Sequence, residues 1–311
     1  MKKLILIFTA VVCASFISGC GQKGCAEFKG VKGVEHVFVI GYDGFAAHST
    51  FDKAVSNMPT YKSLMDEGSW TKFIRTIYPS ISAPNWSTMF CGVGPEGHGW
   101  IENNDDPNFA PAAVRQGENK FPSIVSVLRE AKPEAKLGAI CEWSTILSII
   151  GKDYLDYSDT YEDYDANEKN ITDDFIENCV NTKQDFAMCI FDNPDHMGHE
   201  CGWGSEGYYN ALAKLDENLA AIIQATKDAG IYDSTVFVLV SDHGGFANEG
   251  HGGITMDEME TPVVFFGKGI KKGYEIKSVM YRYDTAPTIA AMFGIKCPDA
   301  WRGRPCFEIF E

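Results

Sequence analysis

Three aspartates and three histidines stand where apolar runs end. The run "STVFVLV" leads directly into "SDHGGFANEGHGG" (residues 241–253), which carries Asp242, His243 and His251 among five glycines. A turn needs the glycines but has no use for the histidines. "HVFVIGYDG" ends another apolar run on Asp43, and "DNPDHMGHECGWG" carries Asp195 and His199. Four residues apart, Asp195 and His199 share one face of a helical turn. Asp242 and His243 are neighbours, so a regular strand would point them to opposite faces. Gly244 and Gly245 permit the irregular backbone that brings both to one site. Mixed carboxylate and imidazole donors suit zinc, with manganese or iron as lesser choices. Any one of these residues alone reads as a turn aspartate or a packed histidine; six in such contexts read as a metal centre. His36, His48, His98 and His196 have no supporting spacing and are read as non-ligands.

A candidate nucleophile lies elsewhere. In "YPSISAPNWSTMFCGVG", Ser82 precedes Pro84, and a helix-like run closes at Gly92. Proline in the first turn and glycine just past the end punctuate a helix. Ser82 then sits near the helix N-terminus, where the dipole and free N–H groups favour an anion or an alkoxide. The same place suits a simple capping serine, and this stretch does not choose between the two.

Such groups must be positioned by a scaffold. Five apolar runs read as strands: His36–Gly44, Leu137–Trp143, Asp185–Asp192, Thr235–Asp242 and Thr261–Gly267. Helical patterns lie between or after them, at Phe121–Ala131, Ile171–Asn181, Tyr208–Ala229 and Thr285–Phe293. The alternation predicts an α/β fold with a mostly parallel central sheet and helices on both faces. Ligands of open α/β sheets bind at the carboxyl ends of the strands, and three strand ends deliver carboxylates there. "DYLDYSDTYEDYDANE" (153–168) reads as a solvated loop, with an aromatic substrate rim as the alternative.

The 311 residues, 45% hydrophobic and 13% aromatic, are enough for a sizeable core. A net charge of −16 argues against a nucleic-acid polymer as partner. Residues 1–19 read as a signal peptide: two lysines, an apolar stretch and small residues. Ile17-Ser18-Gly19-Cys20 resembles a bacterial lipobox, which implies a lipid on Cys20 and a membrane-anchored exported protein, periplasmic or at the cell surface. Residues 20–34 then form a tether and residues 35–311 the catalytic domain. The other cysteines, Cys25, Cys91, Cys141, Cys179, Cys189, Cys201, Cys297 and Cys306, show no paired zinc-binding spacing. They read as buried thiols or structural bridges.

The ordered set of Asp43 after a strand, Ser82-Ala83-Pro84-Asn85, Pro95-Glu96-Gly97-His98-Gly99, Asp195-x-x-x-His199, Ser241-Asp242-His243-Gly244 and Gly250-His251-Gly252 resembles the alkaline phosphatase superfamily. It looks most like the nucleotide pyrophosphatase/phosphodiesterase branch, and the likeness spans residues 35–305, including the tail "DTAPTIAAMFGIKCPDAWRG". The resemblance implies an alkaline-phosphatase-like fold and two zinc ions. Asp195, His199 and His251 would hold one; Asp43, Asp242, His243 and the Ser82 oxygen would hold the other. It implies a phospho-serine on Ser82, with Asn103 donating to a phosphate oxygen, and a small phosphate ester as substrate.

Departures from the pattern matter. Serine stands where the family often has threonine, with the same hydroxyl chemistry. Ala83 replaces the aromatic residue that nucleotide-cleaving members place after the nucleophile; Trp86, Trp143, Trp203 or the tyrosine-rich loop are candidate replacements, each also a candidate core residue. Trp86 stands where sulfatases of the superfamily need arginine, which argues against a sulfatase. Glu102, Asp105 and Asp106 flank Asn103, which favours a diester over a more highly charged monoester. A phosphomonoesterase and a phosphonate hydrolase stay open as alternatives. A non-catalytic metal-binding lipoprotein is disfavoured, because Ser82 and all six ligands are present.

Overall fold

The structure is a computed structural model; it describes residues 29–103, 121–162, 168–247 and 250–311. The signal peptide, Cys20, Cys25, the tether to residue 28, Asp105 and Asp106 lie outside the described residues.

Eight strands form one sheet: β1 (His36–Asp43), β2 (Ser69–Arg75), β3 (Leu137–Cys141), β4 (Tyr157–Thr160), β5 (Phe186–Pro194), β6 (Thr235–Val240), β7 (Glu260–Gly267) and β8 (Tyr274–Glu275). Their order is β4-β3-β5-β1-β6-β7-β2-β8, and only β7 runs against its neighbours. The expected mostly parallel alkaline-phosphatase-like sheet is present. β1 is buried along all eight residues, as a central strand covered on both faces must be. Val37, Val39, Met188 and Val238 meet one hydrophobic cluster, with the helices Ser82–Cys91, Ile124–Ala131 and Thr285–Met292. Phe38, Ile40, Cys189 and Phe237 meet the other, under the helices Pro59–Asp66, Glu168–Phe175 and Glu206–Asp228.

Register does the work of convergence. Gly41 of β1 pairs with Ile190 of β5 and with Val240 of β6. A bulge after Tyr42 then sets Asp43 opposite Pro194, the residue before Asp195. Asp242 follows Val240 by two residues, as Asp43 follows Gly41. Three carboxylates therefore reach one level at the carboxyl ends of three adjacent strands.

Some expectations change. The stretch 153–168 is not simply a solvated loop: Tyr157–Thr160 is an edge strand. The Tyr157 and Tyr161 hydroxyls both donate to Asp174, at 2.8 and 3.0 Å, so neither forms a substrate rim. Strands β2, β4 and β8 carry too many polar residues, or too few residues, to declare themselves by pattern. Val31 and Val34, from the expected tether, pack on the core, with Val31 N–H donating to Met292 O. Cys91, Cys141, Cys179, Cys189 and Cys306 are buried free thiols, and Cys201 is an exposed one. Among the described residues no helix is long and apolar enough to cross a membrane.

Gly41 links core and site. A Cβ there would lie 2.6 Å from Ile190 Cδ1 and 2.7 Å from Trp86 Cη2. Gly41→Ala is expected to overpack this contact and cost about 1–3 kcal/mol. Denaturant unfolding checks it: an unchanged midpoint would mean that Trp86 has room to retreat.

Candidate metal centre and nucleophile

Asp195 opens the short helix Asp195–Cys201, which puts His199 one turn on. His199 Nε2 lies 3.2 Å from Asp195 Oδ2, and His251 Nε2 lies 3.6 Å from Asp195 Oδ1. The two histidine Nε2 atoms are 3.1 Å apart. In the second set, His243 Nε2 lies 3.3 Å from Asp43 Oδ1 and 3.4 Å from Asp242 Oδ2. Ser82 Oγ is 3.1 Å from the same nitrogen. Within each set the donor atoms fall within 4.8 Å of one another. The His243 and His251 rings stack at 3.9 Å between centroids, so the two sets are immediate neighbours.

The ligand atoms are aimed by what lies behind them. A carbonyl only accepts, so His243 Nδ1 donates to Gly244 O and His251 Nδ1 donates to Ser80 O, both at 2.9 Å. That fixes the tautomers and leaves each Nε2 with a bare lone pair, as metal-binding histidines require. Trp86 Nε1 donates to Asp43 Oδ2 at 2.9 Å, and Gly44 N–H donates to Asp242 Oδ1 at 3.2 Å. Gly244 has no room for a side chain: a Cβ would fall 2.0 Å from Asp257 O.

Three carboxylate oxygens, Asp43 Oδ1, Asp195 Oδ1 and Asp242 Oδ2, are buried with no hydrogen-bond partner. Their electrostatics are strained. Burial, then the charges of Asp242 and Asp195, push Asp43 well above the usual carboxylate range. Burial and the Asp195 charge push Asp242 up to about 8. Burial works against the Asp195 charge too, yet its hydrogen bond from His199 and the nearby His243 and His251 hold it low. Burial, with His251 beside it, pushes His243 down to about 3, leaving it neutral. Orphaned carboxylate oxygens facing imidazole nitrogens fit divalent cations.

Ser82 is the first residue of the helix Ser82–Cys91, and the cap position belongs to Ile81, which makes no side-chain cap bond. Gly92 ends the helix in the left-handed conformation, as the sequence punctuation predicts. Asn103 comes to the same helix end: its Oδ1 accepts from Ala83 N–H at 2.8 Å, so Nδ2 is the end that remains to donate.

The four other histidines are in neither set. His36 Nδ1 donates to Gln184 O, and His48 pairs with Glu260. His98 bonds Thr88, with burial pushing it down to about 3. His196 is next to Asp195 in sequence but joins neither set. Sequence reasoning missed Ser80, and it placed Trp86 and Trp203 only as platforms or core. Trp203 Nε1 donates to Gly44 O, and its ring meets His199 and His251 edge-on at 5.2 and 5.9 Å. The available signal was that a buried indole N–H needs an acceptor.

The sequence model of the family "Type I phosphodiesterase / nucleotide pyrophosphatase" matches residues 37–269. The chain belongs to this family. As a member of this family it falls within the alkaline phosphatase superfamily. The chain is 23% identical over 217 residues to ectonucleotide pyrophosphatase/phosphodiesterase family member 3 of Mus musculus. That match covers 67% of this chain but 24% of the relative, so the chain spans about a quarter of its length. Human ectonucleotide pyrophosphatase/phosphodiesterase 5 shares the fold, with a TM-score of 0.70 at 16% identity, covering 88% of this chain and 98% of that one. The inactive murine protein, in complex with AMP, matches with a TM-score of 0.68 at 15% identity over 85% of this chain and 96% of that one. The family is metal-dependent, in keeping with the two donor sets.

The raised groups set a pH dependence. Asp242, at about 8, and His199, raised by the bond it donates to Asp195, keep protons in the folded chain that the unfolded chain has released. Stability from such groups is lost as pH rises through the folded pKa. His243, lowered from 6.5 to about 3, opposes this only below pH 6.5. Between pH 6.5 and about 8 the metal-free protein is therefore expected to lose stability with rising pH, and added zinc to remove that slope. Thermal melts of chelator-stripped and zinc-loaded protein check this; a metal-free Tm that rises across the window would contradict it.

Proposed function

We propose that the chain is a zinc-dependent phosphodiesterase that cleaves a small phosphate diester through a phospho-serine on Ser82. The observation that carries this reading is the convergence of Ser82 Oγ, Asp43 and Asp242 on one face of His243, at Nε2. In a serine–histidine–aspartate triad the carboxylate sits on the far ring nitrogen and orients the base. Here the far nitrogen, Nδ1, bonds a backbone carbonyl instead. Serine, histidine and two carboxylates around one point describe a cation's ligand shell, not a proton relay.

Asp195, His199 and His251 would hold one ion; Asp43, Asp242, His243 and Ser82 Oγ would hold the other. When bound, the ions supply positive charge that favours the Ser82 alkoxide and offsets charge on the leaving oxygen. Ser82 releases its hydroxyl proton to solvent, Oγ attacks phosphorus, the bond to the leaving oxygen breaks, and the leaving group takes a proton from water. A water molecule then cleaves the phospho-serine and restores the hydroxyl. Asn103, held by Ala83 N–H, donates through Nδ2 to a non-bridging oxygen. The first turn of the serine helix adds its dipole to the same charge.

A diester is favoured because no Lys or Arg among the described residues bonds to Ser82 or Asn103, while Glu102 is exposed beside Asn103. A nucleotide-derived leaving group stays within this reading through the family, although Ala83 offers no ring to a base. The sequence of residues 1–20 supports export and lipid attachment at Cys20; Cys20→Ala is expected to abolish fatty-acid labelling and free the chain from membranes, and continued labelling would remove that proposal.

Two substrates test the reaction. Bis-p-nitrophenyl phosphate is expected to be cleaved in preference to p-nitrophenyl phosphate, with activity lost on chelation and restored by zinc. A strong preference for the monoester would overturn the diester assignment. Ser82→Ala is expected to abolish turnover while elemental analysis still finds zinc, and Asn103→Ala to lower kcat by about 10²–10³-fold. Undiminished turnover in Ser82→Ala would remove Ser82 as the nucleophile.

A further inference from the structure

Arg282 is the one Lys or Arg that the fold buries among the described residues, with 0% exposure. It begins the short turn Arg282–Asp284, just before the helix Thr285–Met292. Its Nη2 donates to Thr261 Oγ1, while Nε and Nη1 are buried with no hydrogen-bond partner. Each unpaired buried donor is unfavourable. An apolar side chain of similar volume often serves fold stability better than a buried charge. A guanidinium in this place therefore calls for a role beyond holding the fold together.

Its contacts lead to the metal-binding segment. Thr261 Oγ1 accepts from Arg282 and donates to Ser241 O at 3.2 Å. Ser241 Oγ in turn donates to His243 O at 3.0 Å and accepts from Phe45 N–H at 2.9 Å. The relay runs from the turn before the last long helix, through the first residues of β7, into the segment that follows β6. It also clasps the loop after β1, which carries Asp43. Burial brings the guanidinium down to about 9 against support from the Asp242 charge, and Arg282 in turn draws Asp242 downward. At 9 the guanidinium is still charged at neutral pH.

We propose that Arg282 is a positioning residue: through Thr261 and Ser241 it holds residues 241–243 so that Asp242 and His243 are presented together to one cation. The irregular backbone there makes the device necessary. Asp242 and His243 would diverge in a regular strand, and the flexible Gly244 that follows does not by itself fix the geometry. The inference rests on the two-ion reading for what the segment holds, but not for how the segment is held.

The test uses the full chain, stripped of metal, in zinc competition against a chromogenic chelator. Thr261→Val removes the relay hydroxyl and leaves the arginine; Arg282→Met removes the charge at similar length; Arg282→Lys returns the charge without the fork. Thr261→Val and Arg282→Met are each expected to weaken one of two zinc ions tenfold or more and leave the other unchanged. The double variant is expected to lose less than the sum of the two, because both cut one relay. Arg282→Lys is expected to recover part of the loss. Hydrogen exchange of the metal-free chain adds a reading that needs no ion: the peptide covering residues 238–246 is expected to exchange faster in both variants, with the rest of the sheet unchanged. Equal zinc affinity and equal exchange in the variants would overturn the proposal. If Arg282→Met does not fold, Thr261→Val decides alone. If the wild-type chain takes up no second ion, the two-ion reading fails, and the exchange comparison still decides the role of Arg282.

Discussion

Three buried carboxylates sharing one small space are the constraint on which this structure turns. Asp43, Asp195 and Asp242 each keep a buried oxygen without a hydrogen bond, and their mutual repulsion and burial drive Asp43 and Asp242 toward the protonated form. Such an arrangement is unfavourable for a fold that has no cation to put there. It is favourable for one that does, because a divalent ion replaces repulsion with attraction at every ligand at once. The pull of function against stability is thus located at the carboxyl ends of β5, β1 and β6.

The surroundings answer that constraint in layers. Adjacent parallel strands bring the acids level; the bulge after Tyr42 sets Asp43 opposite Pro194, and Gly244 lets Asp257 O approach closely. Backbone carbonyls then fix the imidazole tautomers, Trp86 steadies Asp43, and the Ser241 hydroxyl ties the β6 end to the loop after β1. Trp86 shows how one position is reused. The Trp86 indole is turned to the back of a carboxylate, and Gly41 is bare to make room for it.

The comparison with relatives has the same shape. Identity is low, 23% to the mouse family member, yet the fold is shared with the human structure.

The sequence by itself determined the residue types and their local context. Apolar runs ending in acids announced strands and their functional ends, Asp195 and His199 announced a helical turn, and Pro84 with Gly92 announced a helix opening on Ser82. These are short-range signals, set by backbone geometry within a few residues. Only the tertiary structure decided which strands are neighbours and in what register, since β1 finds β5 and β6 across the chain and pattern carries no partner. It also decided the second layer: Ser80 behind His251, Trp86 behind Asp43, and Arg282 with Thr261 behind Ser241. Those residues act through hydrogen bonds between distant segments, and their own neighbourhoods in sequence look like ordinary loop or core. Chemistry was legible because ligands must be of a few types at a few spacings; support was not, because any donor that arrives from any direction will serve.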